Sequence, residues 1–293
     1  MELSVSYKNG TALGPKAILE ASDQLEGWDY SQQLSVIRDA GIYTALPIDC
    51  NSNDPIIILD HIEQAVTKSL SFNAIPVLLG GEHTVTLGAL RAIKRYSTTP
   101  FGIIQIDAHA DLRNTYHGNH LSHACVMHRA VDDLGIPLFQ IGVRAISHEE
   151  VVFRKEKNIE FIDAKEIHIN GVKSIVKYNS ESTSEFSYKS APASNVAYDF
   201  LPAGFPQKVY ITLDVDGLDP SVIRATGTPV PGGISWYDTM ILLENVIKTR
   251  EVIGFDVVEL APIEGDHASD FAAAQLAYSV MGMVQRFKLG MRI

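Results

Sequence analysis

Asp107, His109 and Asp111 occupy every second position of one short stretch, and all three side chains are of types that bind divalent metals. In an extended segment, alternate residues point the same way. One strand end can therefore aim two carboxylates and an imidazole into a single pocket. A buried carboxylate pair without a counter-charge is costly, because each anion loses its hydration and repels the other; a dication removes that cost. A polar loop that merely follows a strand would carry the same residue types, so this stretch alone leaves metal site and loop evenly balanced. Three further segments shift the balance. His83 follows Gly80, Gly81 and Glu82 after the apolar run 74–79, Asp214, Asp216 and Asp219 lie at the end of the run 209–215, and Glu259 follows 252–258.

Pooled, His83, Asp107, His109, Asp111, Asp214 and Asp216 supply more negative charge than one dication needs, and the set suits two. Mixed oxygen and nitrogen donors favour Mn2+ or another first-row dication over Ca2+ or thiolate-held zinc. Two such ions about 3.5–4 Å apart can share a water, lower its pKa and deliver hydroxide at neutral pH. The chemistry expected is hydrolysis of a poor electrophile without a covalent intermediate.

The elements that must position these donors are legible as an alternation. Strands are expected at 42–47, 74–79, 101–107, 138–143, 159–162, 209–215 and 252–258, and helices at 16–25, 54–68, 85–96, 238–248 and 269–287. Helix 54–68 carries an apolar stripe of Ile57, Ile58, Ile62 and Val66. Near-continuous apolar strands between helices predict an α/β fold with a mostly parallel sheet covered on both faces. In such sheets ligands bind beyond the C-terminal strand ends, where all four donor segments fall. Residues 178–205 change to Ser, Asn, Ala, Pro and Tyr with no period and read as a surface insertion within a single domain spanning 1–293.

Of the 293 residues, 46% are hydrophobic and 20% charged, an ordinary globular balance, and the formal charge is -11. That charge argues against nucleic acid or an anionic membrane as partner and is compatible with a cationic substrate. Two cysteines, Cys50 and Cys125, lie outside any paired motif, so the reducing cytoplasm is the expected compartment. The first residues lack a basic stretch followed by an apolar one, and no apolar run reaches the length of a membrane span.

Residues 80–83 (GGEH), 107–111 (DAHAD), 122–125 (SHAC), 214–220 (DVDGLDP) and 225–229 (ATGTP) together resemble the ureohydrolases, the family of arginases and agmatinases. The resemblance runs in order from about Ser6 to the last helix. It implies a three-layer α/β/α arginase-like fold and two Mn2+ per chain. By position, His83 and Asp111 would each hold one ion, His109 and Asp216 the other, and Asp107 and Asp214 would bridge. It also implies that His123 shuttles a proton to the leaving amine and that Glu259 receives the guanidinium. A carboxylate can bind that planar cation by paired hydrogen bonds, and an imidazole can both take and give a proton. Taken without the resemblance, His123 is one of a group with His117, His120 and His128, Glu259 is a salt-bridge partner, Arg144 makes a surface ion pair, and Asp219 with Pro220 forms a structural turn.

The segment 111–125 is more similar to agmatinases than to arginases, whose loop here hydrogen-bonds the α-carboxylate of arginine; Asn119 has neighbours that do not match that loop. The resemblance thus implies hydrolysis of agmatine to putrescine and urea, in a homo-oligomer (trimer or hexamer). Two other functions stay open: a ureohydrolase for arginine, guanidinobutyrate or another small cationic guanidino compound, and a non-catalytic member kept for binding or assembly. The family ordinarily has a strand and a proline-containing loop ahead of the segment matching residues 5–11. Here the chain starts almost at that segment, so one inner strand of the usual sheet is expected to be missing or replaced.

Overall fold

Six of the apolar runs pair edge to edge into one parallel sheet in a computed structural model, which describes residues 1–177 and 199–288. In chain order the elements are α1 (Gly14–Ser22), β1 (Trp28–Asp29), β2 (Leu34–Ser35), α2 (Pro55–Ser71), β3 (Val77–Leu79), α3 (Val85–Tyr96), β4 (Phe101–Ile106), α4 (Val126–His128), β5 (Leu138–Ile141), α5 (His148–Glu156), β6 (Glu160–Ile162), α6 (Ala164–Asn170), α7 (Val172–Ile175), β7 (Lys208–Asp214), α8 (Trp236–Thr249), β8 (Glu251–Val258) and α9 (His267–Lys288). The sheet order is β3-β8-β7-β4-β5-β6, with every pairing parallel. Strands β8, β7 and β4 thus lie side by side at its centre.

Alternation along each strand builds a core on each face. Ile104, Ile106, Phe139, Ile141, Val209, Ile211 and Leu213 join Ile18 of α1, Leu242 of α8 and Leu276 of α9. Phe101, Ile103, Leu138 and Tyr210 join Ile58, Leu59 and Ile62 of α2 and Leu90 and Ile93 of α3. Helices on both faces of a parallel sheet make the three-layer α/β architecture. Every residue of β4 is buried, and each isoleucine there contributes about 1.5–3 kcal/mol by leaving water.

Helix α2 starts where Asp54 accepts the Ile56 amide, with Pro55 in the first turn. Its buried stripe is Ile58, Leu59, Ile62 and Val66; Ile57, expected inside, is 46% exposed. A Cβ on Gly88 would lie 2.8 Å from Ile62, so a glycine is what lets α3 approach α2 this closely. The expected strand at 42–47 is not formed. Tyr43 and Leu46 face solvent, and the segment finds no strand to pair with among the described residues. Instead β1 and β2 form a small antiparallel pair upstream, and Leu34 and Val36 pack beside Tyr278 of α9. Helices α5 to α7 were not anticipated, although α5 opens with a capping box of Ser147 and Glu150. Of the expected insertion, 178–198 lies outside the described residues, and Leu201 in the remainder enters the core. Among the described residues no helix is long and apolar enough to cross a membrane.

Candidate metal centre

Neighbouring strands β3, β8, β7 and β4 all run in one direction, so their C-terminal ends share a rim. At or past these ends come His83, Glu259, Asp214 with Asp216, and Asp107. A Cβ on Gly217 would sit 2.8 Å from the Asp107 amide nitrogen. The missing side chain there lets the exits of β7 and β4 touch, bringing Asp216 against the turn after Asp107. The Ala108 amide donates to Asp216 Oδ1 at 3.0 Å and the His109 amide to Asp107 Oδ1 at 2.6 Å.

The six donors, drawn from three segments of the chain, lie side by side. His83 Nδ1 lies 2.9 Å from Asp111 Oδ2, 3.2 Å from Asp107 Oδ2 and 3.5 Å from Asp214 Oδ2. His109 Nδ1 lies 3.0 Å from Asp216 Oδ2 and 3.7 Å from Asp107 Oδ1. Two groups of three can each surround one cation, His83, Asp107 and Asp214, and Asp107, His109 and Asp216. Asp107 is common to both and turns one oxygen toward each imidazole.

Hydrogen bonding beneath the site decides which atom of His83 faces it. Thr212 Oγ1 donates to Asp256 Oδ1 at 2.7 Å and lies 2.8 Å from His83 Nε2. Its proton is committed to the carboxylate, so it accepts from Nε2–H, and the lone pair of His83 sits on Nδ1. That nitrogen is fully buried, has no hydrogen-bond donor, and faces carboxylate oxygens. A lone pair aimed at anions is repulsive unless a cation lies between them. These residues therefore fit a bound dication.

The charge states carry the same strain. Burial lowers His109, but contacts with Asp107 and Asp216 outweigh it and raise it to about 11. His83 is likewise driven well above its ordinary value, against burial, by Asp107 and Asp111. Burial and the Asp107 charge push Asp111 up to about 7, and burial, Asp216 and Asp107 push Asp214 far up. Asp107 alone is held low: hydrogen bonds to both imidazoles overcome its burial. A dication among these groups would relieve the carboxylate repulsion and leave both imidazoles free to bind through a lone pair.

Glu259 adopts φ 64° and Asp111 φ 52°, a left-handed backbone that costs a non-glycine residue about 1–2 kcal/mol. Glu259 Oε1 accepts the His83 amide at 2.6 Å. Among the described residues no lysine or arginine pairs with it, so the ordinary salt bridge is not its role here. Burial raises it to about 8, with Glu82 and Asp216 adding to the rise. His123 separates from its neighbours: Nδ1 lies 3.2 Å from Ser4 Oγ, whereas His128 stacks on Phe153 and His120 approaches the Asn114 carbonyl. Burial, then the His83 and His109 charges, push His123 down to about 4.

Arg144 makes no ion pair among the described residues, contrary to the sequence expectation. Its guanidinium donates to the carbonyls of Gly142, Asp216, Gly217, Leu218 and Val230, clamping the loop that carries Asp216. Asp219 is structural, as expected, and accepts the amides of Ser221, Gly232 and Gly233.

One layer was missed. Asp256, Thr212, Gln105 and Gln140 stand in register across β8, β7, β4 and β5, and all four are fully buried. Thr212 orients His83. Gln105 donates to Asp107 Oδ2 at 2.7 Å and accepts from Gln140, which in turn accepts from Arg154. Such supporting bonds fix the orientation of metal-binding side chains. The available signal was a polar residue one or two positions before the end of each of these otherwise apolar strands.

A family model described as the arginase family matches residues 1–282. An N(1)-aminopropylagmatine ureohydrolase of Synechocystis sp. is 36% identical over 285 residues, covering 96% of this chain and 85% of that protein. An agmatinase of Pyrococcus horikoshii is 31% identical over 292 residues, covering 97% and 89%. The crystal structure of an agmatine ureohydrolase of Thermoplasma volcanium superposes with a TM-score of 0.80 at 28% identity, covering 99% of this chain and 88% of that one.

Proposed function

The chain belongs to the arginase family, and on that premise we propose that it is a ureohydrolase that cleaves the guanidinium group of agmatine to putrescine and urea. The observation that carries this is the pair of donor triads sharing Asp107, with the His83 lone pair held toward carboxylates. In this reading His83 and Asp111 would hold one ion and His109 and Asp216 the other, with Asp107 and Asp214 available to both. Two divalent ions there, manganese by the donor chemistry, supply Lewis-acid activation of a water.

The remaining roles belong to the chain's own groups. Glu259, without a basic partner among the described residues, accepts the guanidinium N–H groups, and pairing with that cation favours the ionised form of its buried carboxylate. His123 passes a proton to the departing nitrogen. The substrate cation and one water yield urea and a primary ammonium, so charge and protons balance. The proposal includes a small cationic substrate, a homo-oligomer and the reducing cytoplasm, the last supported by the free thiols of Cys50 and Cys125.

A second substrate, N(1)-aminopropylagmatine, is favoured by the 36% identity to a relative named for it. Both molecules present the same guanidinium to Glu259 and neither carries the α-carboxylate of arginine. Urea release from agmatine, N(1)-aminopropylagmatine, arginine and guanidinobutyrate, with added Mn2+, separates them. We expect turnover of agmatine or its aminopropyl derivative well ahead of the two carboxylates. Arginine as the best substrate would overturn the choice, and no urea from any compound by protein with both ions bound would overturn the enzyme.

A further inference from the structure

Ser4 belongs to no helix or strand, yet its hydroxyl is the meeting point of three groups near the metal centre. Oγ lies 2.9 Å from Glu82 Oε2, 2.9 Å from the His123 amide nitrogen and 3.2 Å from His123 Nδ1. A serine hydroxyl has one proton and two lone pairs. The His123 amide can only donate, so it takes one lone pair. The single proton then goes either to Glu82 or to Nδ1.

Glu82 decides the matter. Its Oε2 already accepts the amides of Leu3 at 3.1 Å and Ser4 at 2.7 Å. Two N–H groups converging on that oxygen make it an acceptor whether or not Oε1, buried and without a partner, holds a proton. If the serine proton pointed to Nδ1, a lone pair on Oγ would face a lone pair on Oε2 at 2.9 Å. With the proton on the Glu82 side, the second lone pair of Oγ faces Nδ1, which must then carry hydrogen. Ser122 Oγ, 3.4 Å from Nδ1, is the looser neighbour and caps the Ala124 amide. Among the described residues nothing hydrogen-bonds Nε2.

We propose that Ser4 is a positioning residue: with Glu82 holding its hydroxyl proton, it fixes His123 as the Nδ1–H tautomer, so that Nε2 is the atom that takes and gives the proton. This rests on the reading of His123 as the proton shuttle. The ring alternates between a cation protonated at both nitrogens and a neutral form that keeps Nδ1–H on Ser4; the proton that moves is always the one on Nε2. Ser4 thus acts on His123 as the buried carboxylate of a catalytic triad acts on its histidine.

Neutron crystallography of the Mn2+-loaded protein in D2O at pD about 8 tests the proton placement directly, without relying on activity. Deuterium on Nδ1 and none on Nε2 is expected; deuterium on Nε2 alone would overturn the proposal. In parallel, Ser4→Ala should lower kcat about tenfold, the loss of one hydrogen bond, with KM unchanged, and Ser4→Thr should restore it. Wild-type kcat in Ser4→Ala, or no rescue by threonine, counts against Ser4 as a positioning residue. His123→Asn separates the two layers: if it keeps wild-type kcat, the shuttle role fails, while the neutron map still judges the tautomer on its own.

Discussion

Thr212→Val is the sharpest probe of the centre, because it removes one hydroxyl and leaves the side-chain shape unchanged. Thr212, His83 and Asp256 are all fully buried, so no water can replace the lost group. Asp256 keeps the hydroxyls of Thr86 and Tyr210 at 2.8 Å each and the Leu213 amide. His83 Nε2–H keeps nothing. A buried donor left without an acceptor costs about 1–3 kcal/mol, and removing a group that orients a metal-binding histidine lowers affinity about 10–100-fold, equivalent to about 1.4–2.8 kcal/mol. The two ranges agree because they describe one bond, seen from folding and from metal binding. At roughly 2 °C per kcal/mol for a chain of this size, Tm should fall about 2–6 °C. Calorimetric titration of metal-stripped protein with Mn2+ should show one of two sites weakened by that factor and the other nearly unchanged. An isotherm identical to wild type would refute the assignment of the lone pair to Nδ1 and, with it, His83 as a ligand.

Asp107→Ala removes the one carboxylate shared by both triads; urea release should vanish and bound manganese fall below about one per chain, and retained turnover would contradict the bridge. Arg144→Met leaves the carbonyls of the 216–218 loop without their donor and should lower stability by about 2–4 kcal/mol, read as a shift in denaturant midpoint with little change in slope. Metal binding should depend on pH in a definite direction. His109, raised to about 11 in the metal-free protein, must lose its proton to bind a metal. Apparent Mn2+ affinity should therefore rise from pH 6 to 9, with proton release seen by calorimetry in two buffers. The same shift means that the stability His109 lends the metal-free protein is complete below its unfolded value near 6.5 and fades as pH rises through about 11.

Much of the fold was legible because the relevant signals are local. Helix 85–96 was expected with the bounds of α3, and β4, β7 and β8 begin and end within a residue of the expected spans. Apolar runs with helices between them imply a parallel sheet whatever the strand order. The failures also have local causes. Isoleucine at 57 fits the helical stripe by composition, but the face is set by what α2 packs against, and Leu59 takes the place. The run 42–47 has strand-like residues, yet a strand requires a partner edge, and this segment pairs with neither outer strand of the sheet, β3 or β6. The opening of α5 was readable from Ser147 and Glu150, whose reciprocal bonds are a local signature.

What the sequence determined by itself is the donor set: Asp107, His109 and Asp111 at alternate positions, with His83, Asp214, Asp216 and Glu259 each at the end of an apolar strand. Pleat geometry and the direction of parallel strands are enough to send those side chains to one rim. What only the tertiary structure decided is how each donor is held. Asp256, Thr212, Gln105 and Gln140 become one supporting row through strand register, and no spacing in the sequence encodes register between strands that are far apart in the chain. Arg144 turns from an expected surface ion pair into a clamp once five carbonyls surround it, and Ser4 reaches His123 across 119 positions. Residue types and local periodicity specify which groups are available; the tautomers, the orphaned lone pair and the shared carboxylate depend on distances of about 3 Å that exist only when the layers pack.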